Sequence, residues 1–110
     1  MAKKGKYLQI RLFEGPENSK IDEEWNRFYN TEHAPLVVKN SPRVIRAYRY
    51  VAIEKEGVAP KYITIYEMEN PGAMSDKKIE KIIHTDWYQK MQPHFRRTGV
   101  GTYKQIYPED

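Results

Sequence analysis

From Lys6 to Gly15 the apolar positions alternate: Leu8, Ile10 and Leu12 fall on one side, and Tyr7, Gln9, Arg11 and Phe13 on the other. A period of two predicts a half-buried strand, which Gly15-Pro16 ends. The period then changes. Over residues 19–33, Ile21, Trp25, Phe28 and Tyr29 recur at helical spacing behind an acidic opening turn. A helix is therefore expected up to about His33, where Pro35 interrupts the register. Alternation returns over residues 43–53, with Val44, Arg46, Tyr48 and Tyr50 opposed to Ile45, Ala47, Arg49, Val51 and Ile53. It recurs over residues 61–69, with Tyr62, Thr64, Tyr66 and Met68 opposed to Ile63, Ile65 and Glu67. The charged stretch EKEGVAP between these strands makes a hairpin with a loop longer than a tight turn.

Asn70-Pro71-Gly72 closes the third strand, and Ser75 is positioned to cap a second helix over residues 76–92. Its apolar stripe is Ile79, Ile82, Ile83, Trp87 and Met91, with a break near Thr85-Asp86 that divides it in two. Pro93 ends the pattern. Residues 98–107 supply a last strand, whose Gly99 and Gly101 suggest a bulge or a close backbone approach. The order β-α-β-β-α-β predicts an α+β, ferredoxin-like fold, a four-stranded antiparallel sheet with both helices on one face, formed by residues 1–110 as a single domain.

That plan leaves one face of the sheet bare, yet both faces of the second and third strands carry Tyr, Ile, Val or Ala. An apolar face of that size usually meets a partner, and a second copy about a two-fold axis is the simplest one. A homodimer joined through the open sheet face is expected.

Composition removes several classes of chemistry. The chain has no cysteine, which excludes thiol nucleophiles, thiolate metal sites and disulfides. The net charge of +4 invites a nucleic-acid reading. The charges are scattered, however: Lys3, Lys4 and Lys6 on a tail, Lys77, Lys78 and Lys81 on a helix exterior, Arg96 and Arg97 at a turn. Solvated surface accounts for them. RNA-recognition motifs share the element order, but KYITIYEME lacks the basic-Gly start of their RNA-binding run and ends acidic, so no nucleic-acid partner is expected. There is no apolar run of signal-peptide or transmembrane length, so a cytoplasmic location without membrane contact is expected. Phosphate loop, nucleophile elbow, zinc-binding helix and dinucleotide fingerprint are all missing, and neither cofactor nor metal is expected. What stands out is aromatic content: nine Tyr, two Trp and three Phe, side chains that fill cores and pockets while keeping a polar handle.

Three stretches, EEWNRFYNTEHAPLVVKNSPRVIRAYRY, PKYITIYEMENP and DWYQKMQPHFRR, together resemble the dimeric α-β barrel superfamily, and within it the EthD-like small proteins of mostly unassigned function. The likeness runs from about Lys6 to Tyr107, and its most specific piece is the helix end Tyr29, His33, Pro35 and Leu36. The resemblance implies two subunits paired through their sheets into a barrel, with a small pocket between sheet and helices in each. Activities in the superfamily include cofactor-free polyketide cyclases, muconolactone isomerases, quinone-forming monooxygenases and haem-degrading enzymes, and fold alone does not choose among them. It further implies that His33 faces the cavity.

The residues themselves allow two roles for His33. It lies one turn after Tyr29, on the face that Trp25 commits to the core. A neutral imidazole in an aromatic cavity would have its pKa lowered by desolvation and could act as a base or acid. A helix-end histidine satisfying the last carbonyls before Pro35 is the alternative. Tyr62 and Tyr66 share one face of the third strand, and their phenols could hold a substrate oxygen, unless that face packs at the dimer interface. Tyr48 carries the same ambiguity. The expected site is thus His33, Tyr62 and Tyr66 as catalytic residues, with Trp25, Tyr29, Trp87 and Tyr48 binding the substrate. His84 and Asp86, two apart on a helix, point away from each other and make no metal site, and Asp86 reads as the cap of a short helix. His94, beside Arg96 and Arg97, has two readings, a pocket mouth where the arginines steer an anionic substrate and a solvated turn, and the solvated turn is expected.

The expected function is binding of a small organic molecule, aromatic or lactone-like, with a cofactor-independent cyclisation, isomerisation or lyase step. One alternative is an oxygen-using monooxygenase, quinone-forming or haem-degrading, with His33 or His84 as the source of a haem ligand. Another is a non-enzymatic stress-type or assembly protein whose pocket is filled by its own side chains. Pocket volume discriminates, because a usable site needs a few hundred cubic ångströms.

Overall fold

The computed structural model describes residues 6–75 and 81–109. Four strands, β1 (Tyr7–Glu14), β2 (Val44–Val51), β3 (Tyr62–Met68) and β4 (Arg96–Lys104), form one antiparallel sheet in the order β2-β3-β1-β4. Among the described residues the α-helices are α1 (Ser19–Phe28), α2 (Ala34–Asn40) and α3 (Asp86–Met91). The strand order is the ferredoxin-like one that the sequence pattern predicts.

Local chemistry sets the helix ends. The Asn18 side chain accepts hydrogen bonds from the backbone N–H groups of Lys20 and Ile21 at 3.0 and 3.1 Å, capping α1. The helix expected to stop near His33 does not stop. It widens into a five-residue turn, Tyr29–His33, closed by the Ala34 N–H bonding to the Tyr29 carbonyl, and continues as α2 through Pro35 to Asn40. Pro35 sits in the first turn of α2, where its missing N–H costs little, and the widened turn relieves the clash a ring makes in a regular helix. At α3 the cap is Thr85, whose hydroxyl accepts from the Tyr88 N–H at 3.3 Å, and not Asp86, which is the first helical residue. Ser75 ends a single tight turn, Ala73–Ser75. The start of the second predicted helix, with Lys77, Lys78 and Ile79, lies outside the described residues, as do Lys3 and Lys4.

Strand pairing fixes the faces. Tyr62, Thr64, Tyr66 and Met68 of β3 are buried against the helices, while Ile63, Ile65 and Glu67 point to the open side. Phe13 pairs with Tyr62, and Gln9 and Ala47 pair with Tyr66, so Tyr7, Gln9, Arg11, Phe13, Ala47 and Arg49 also face the helices. A register shift between Val44 and Arg46 brings Val44 to the buried side as well. A second shift, where Leu12 meets Gly99 but Phe13 meets Arg97, leaves Thr98 as the extra residue of a bulge. The open face is apolar: Leu8, Ile10, Leu12, Ile63 and Ile65, rimmed by Tyr48, Tyr50 and Tyr103. Tyr103 folds over Gly101, where a Cβ would lie 2.7 Å from its ring, the close approach that explains this glycine.

Between sheet and helices the core forms two clusters. Phe13, Trp25, Tyr29, Ala34, Tyr62 and Met91 make one, and Val37, Val44, Tyr66, Met68, Ala73 and Ile82 the other, with Ala47 packed against both. Each large side chain so buried contributes about 1.5–3 kcal/mol.

Candidate functional site

The widened turn after α1 presents Tyr29 and His33 to a cavity of about 500 Å³ between the helices and the β1–β4 half of the sheet. Such turns let a helix re-aim side chains, and they recur at functional sites. Phe13, Trp25, Tyr29, Trp87, Tyr88 and Phe95 supply aromatic walls, Val37 and Ile82 add aliphatic ones, and Arg11, Gln92, Arg96 and Arg97 bring the polar groups. The cavity is large enough for a ligand of two or three fused rings.

His33 is 5% exposed. Its ring is wedged by aromatic neighbours: Tyr29 edge-on at 4.9 Å between centroids, Tyr88 at 5.4 Å and Trp87 at 5.7 Å. Its Nδ1 is buried with no hydrogen-bond partner among the described residues. Burial first, then the positive charges of Arg11 and Arg49, push its pKa down to about 4. The imidazole is therefore neutral at pH 7, and packing holds it in place. The reading in which His33 caps the last carbonyls of a helix does not hold, because the chain runs on as helix and that nitrogen makes no such bond.

Behind Tyr29 lies a polar layer. The Arg49 guanidinium stacks 4.0 Å from the Tyr29 ring centre and 4.9 Å from that of Trp25. It donates to the side-chain oxygens of Asn30 and Asn26 at 2.9 and 3.0 Å. Burial works against its charge, while the phenols of Tyr29, Tyr62 and Tyr66 and the Asp22 carboxylate favour it. Asn26 in turn donates to the Tyr62 hydroxyl at 3.0 Å, and that hydroxyl donates to Asp22 at 2.8 Å. The network locks α1 onto β2 and β3 and fixes the ring of Tyr29 from the sheet side.

The expected site residues separate accordingly. His33, Trp25, Tyr29 and Trp87 come together on the cavity wall. Tyr62 and Tyr66 face the helices, but neither lines this cavity: the Tyr62 hydroxyl is committed to Asp22, and the Tyr66 hydroxyl lies 3.5 Å from that of Tyr29, behind it. Burial pushes the Tyr66 phenol well above its ordinary pKa, so it stays protonated. Tyr48 is on the opposite face, where it pairs with Ile65, and it cannot touch a ligand in the cavity. Arg96 and Arg97, expected at a solvated turn, open β4 and line the cavity. His94 lies in the tight turn before them and borders a separate surface depression. His84 ends the short turn Lys81–His84. A larger groove, about 890 Å³, runs along the β2 edge past Asn30, Lys39 and Tyr50, but it is a surface trough that does not include His33.

No family model matches the chain, and no curated protein does. Solved structures do. HapK from Hahella chejuensis aligns over 94% of this chain and 96% of its own at 8% identity, with a TM-score of 0.61. A dimeric ferredoxin-like protein of unknown function from Thermobifida fusca aligns over 90% of each chain at 7% identity, TM-score 0.60. The fold is the ferredoxin-like one that it shares with these proteins. An ethyl tert-butyl ether D (EthD) family protein from Bacillus halodurans aligns over 91% of this chain and 98% of its own at 12% identity, TM-score 0.52. At such identities the likeness is one of fold alone, and it assigns no activity. No helix among the described residues is long and apolar enough to cross a membrane.

Proposed function

We propose that this chain binds a small planar aromatic molecule in the His33 cavity and moves a proton on it, working as a homodimer joined through the open sheet face. The observation that carries the reading is a neutral imidazole, stripped of hydrogen bonds at Nδ1, on the wall of an aromatic cavity of about 500 Å³. Trp25 Nε1, Arg49 Nε, Thr64 Oγ1 and Trp87 Nε1 are also buried without a partner among the described residues, and of these atoms His33 Nδ1 belongs to the group that can exchange a proton near neutral pH. The volume also speaks against a pocket filled by its own side chains.

In the proposed reaction the C–H bond next to a ligand carbonyl breaks, its electron pair moves to make an enolate, and His33 takes the proton. Return of that proton to a different carbon completes an isomerisation; in a cyclisation the enolate carbon attacks a second carbonyl, whose π pair moves to its oxygen, and His33 returns the proton to that alkoxide. An imidazole with a pKa of about 4 is a weak base in the free protein. Negative charge developing on the ligand beside it raises its proton affinity as the reaction proceeds. Tyr29 and Tyr88 are the phenols on the wall, so the oxygen-holding role expected of Tyr62 or Tyr66 falls to one of these two.

The dimer rests on the apolar open face, on which Tyr48, Tyr50 and Tyr103 are 38%, 56% and 55% exposed in the single chain. The dimeric Thermobifida fusca relative supports it.

The proton-transfer reading is tested by incubating the protein in D₂O with a panel of aromatic ketones and unsaturated lactones and following deuterium uptake by mass spectrometry. Uptake catalysed by the wild type and lost in His33→Gln is expected. Equal uptake with both proteins, or none above solvent with either, overturns it.

A further inference from the structure

The polar groups of the cavity are unbalanced in sign. Arg11, Arg96 and Arg97 line it, and no Asp or Glu does. Elsewhere on the described surface cations meet carboxylates: Arg46 with Glu67 at 3.1 Å, Lys90 with Glu24 at 3.1 Å, Lys61 with Asp22 at 3.9 Å. The cavity arginines have no such partner among the described residues. Arg11 instead donates its Nε–H to the Gln9 side chain at 2.7 Å and lays its guanidinium 5.6 Å from the Tyr66 ring centre. That arrangement fixes its stem and leaves the other N–H groups uncommitted.

Strand pairing places two of the three together. Arg97 lies directly across from Phe13, and Arg11 is two residues from Phe13 on the same face of β1. Both therefore stand on the helix-facing side, flanking a phenylalanine ring at the floor of an aromatic chamber. The Thr98 bulge sets Arg97 there; without the extra residue the alternation along β4 would turn it to the open side. Two arginines beside a phenylalanine on the helix-facing side of the sheet are matched by an anion attached to a flat ring, since each guanidinium can meet a carboxylate through two parallel N–H bonds.

We infer that the cavity is selective for aromatic carboxylates, with Arg11 and Arg97 holding the carboxylate and the ring lying among Phe13, Trp87 and Phe95. Arg96, on the neighbouring position of β4, adds attraction at the mouth. The inference rests on the reading of the cavity as a ligand site and adds the charge class of what it takes. It also gives His33 a role in selectivity: a neutral imidazole neither repels nor neutralises the incoming anion, so the arginines alone set the sign.

The test is a matched pair of probes, 2-naphthoate and 2-naphthamide, titrated calorimetrically into the full chain at pH 7.5, where one is an anion and the other its neutral isostere. At least tenfold tighter binding of 2-naphthoate is expected, lost on raising the salt from 20 to 300 mM and reduced to within about twofold in Arg11→Gln/Arg97→Gln. Arg46→Gln, on the open face, should leave the ratio unchanged. Equal affinity for the two probes in the wild type overturns the anion selectivity while leaving the ligand site standing. Binding of neither overturns both. Because the acid–amide comparison is made on the wild type, a variant that fails to fold does not protect the inference.

Discussion

Acid sensitivity follows directly from where the fold puts His33. In the unfolded chain its imidazole titrates near 6.5, and in the fold near 4. Between those values the unfolded chain binds a proton that the native state refuses, so the unfolded state holds more protons and stability must fall as pH drops. Integrating that linkage gives a loss of about 1.4 kcal/mol between pH 7.5 and 5.5, rising toward a limit of about 3 kcal/mol below pH 4. The assay is urea unfolding followed by tryptophan fluorescence, on wild type and on His33→Gln, at several values between pH 7.5 and 5.5. This window stays above the range in which ordinary carboxylates titrate, and the variant subtracts every other group. The wild type should lose the stated amount relative to the variant. If the two proteins lose stability in parallel, the imidazole titrates in the fold as it does in water, and the argument for a dry, neutral His33 is refuted.

Other expectations are separable. Replacing Arg49 by Met or Arg11 by Gln removes a positive charge that disfavours the imidazolium, so the pKa of His33 should rise in each, as read by NMR titration; no upward movement would disconnect these charges from the site. Gly15→Ala would set a methyl 2.5 Å from the Tyr62 ring and 2.7 Å from the Asp22 carboxylate, and a stability loss of about 1–3 kcal/mol is expected by thermal or urea unfolding. Ile65→Glu, at the centre of the open sheet face, should convert a dimer to a folded monomer in sedimentation experiments with an unchanged circular dichroism spectrum. A wild type that already sediments as a monomer would remove the dimer from the proposal.

The order of elements was legible because periods of two and of about 3.6 are hard to confuse when a strand such as Tyr62–Met68 alternates without a break. Which face of each strand is inward was not. In β1 the more apolar row, Leu8, Ile10 and Leu12, lies on the open side, while the row containing Gln9 and Arg11 faces the helices. Which row faces inward is set by the pairing of β1 with β3 and β4 and by the side that the helices cover, and neither is written in local alternation. Tyr48 went to the wrong face in the expected site for this reason.

Arg11 and Arg49 were missed for a related one. A lone Arg in a strand is normally read as solvent-facing, yet Arg49 shares its row with Ala47 and Val51, and Arg11 with Tyr7 and Phe13. Those rows, in which one guanidinium interrupts apolar or aromatic neighbours, were the available signal. The helix past Pro35 was illegible because a regular helix excludes proline in its interior, and only the wider turn before it makes room. Spacing to Tyr29 and Trp25 left His33 open between a cavity and a helix end, and only the resemblance pointed it to the cavity; across the wide turn its ring meets Tyr29 at 4.9 Å.

The most direct test of the His33 cavity as a ligand site is residue-resolved NMR of the wild type during titration with 2-naphthoate, following the His33 imidazole, the Trp25 and Trp87 indole N–H signals, and the Tyr48 and Tyr103 rings. Saturable shifts at His33 and Trp87, with Tyr48 and Tyr103 unmoved, are predicted. Shifts confined to the tyrosines of the open face, or none at His33 up to millimolar ligand, would contradict it.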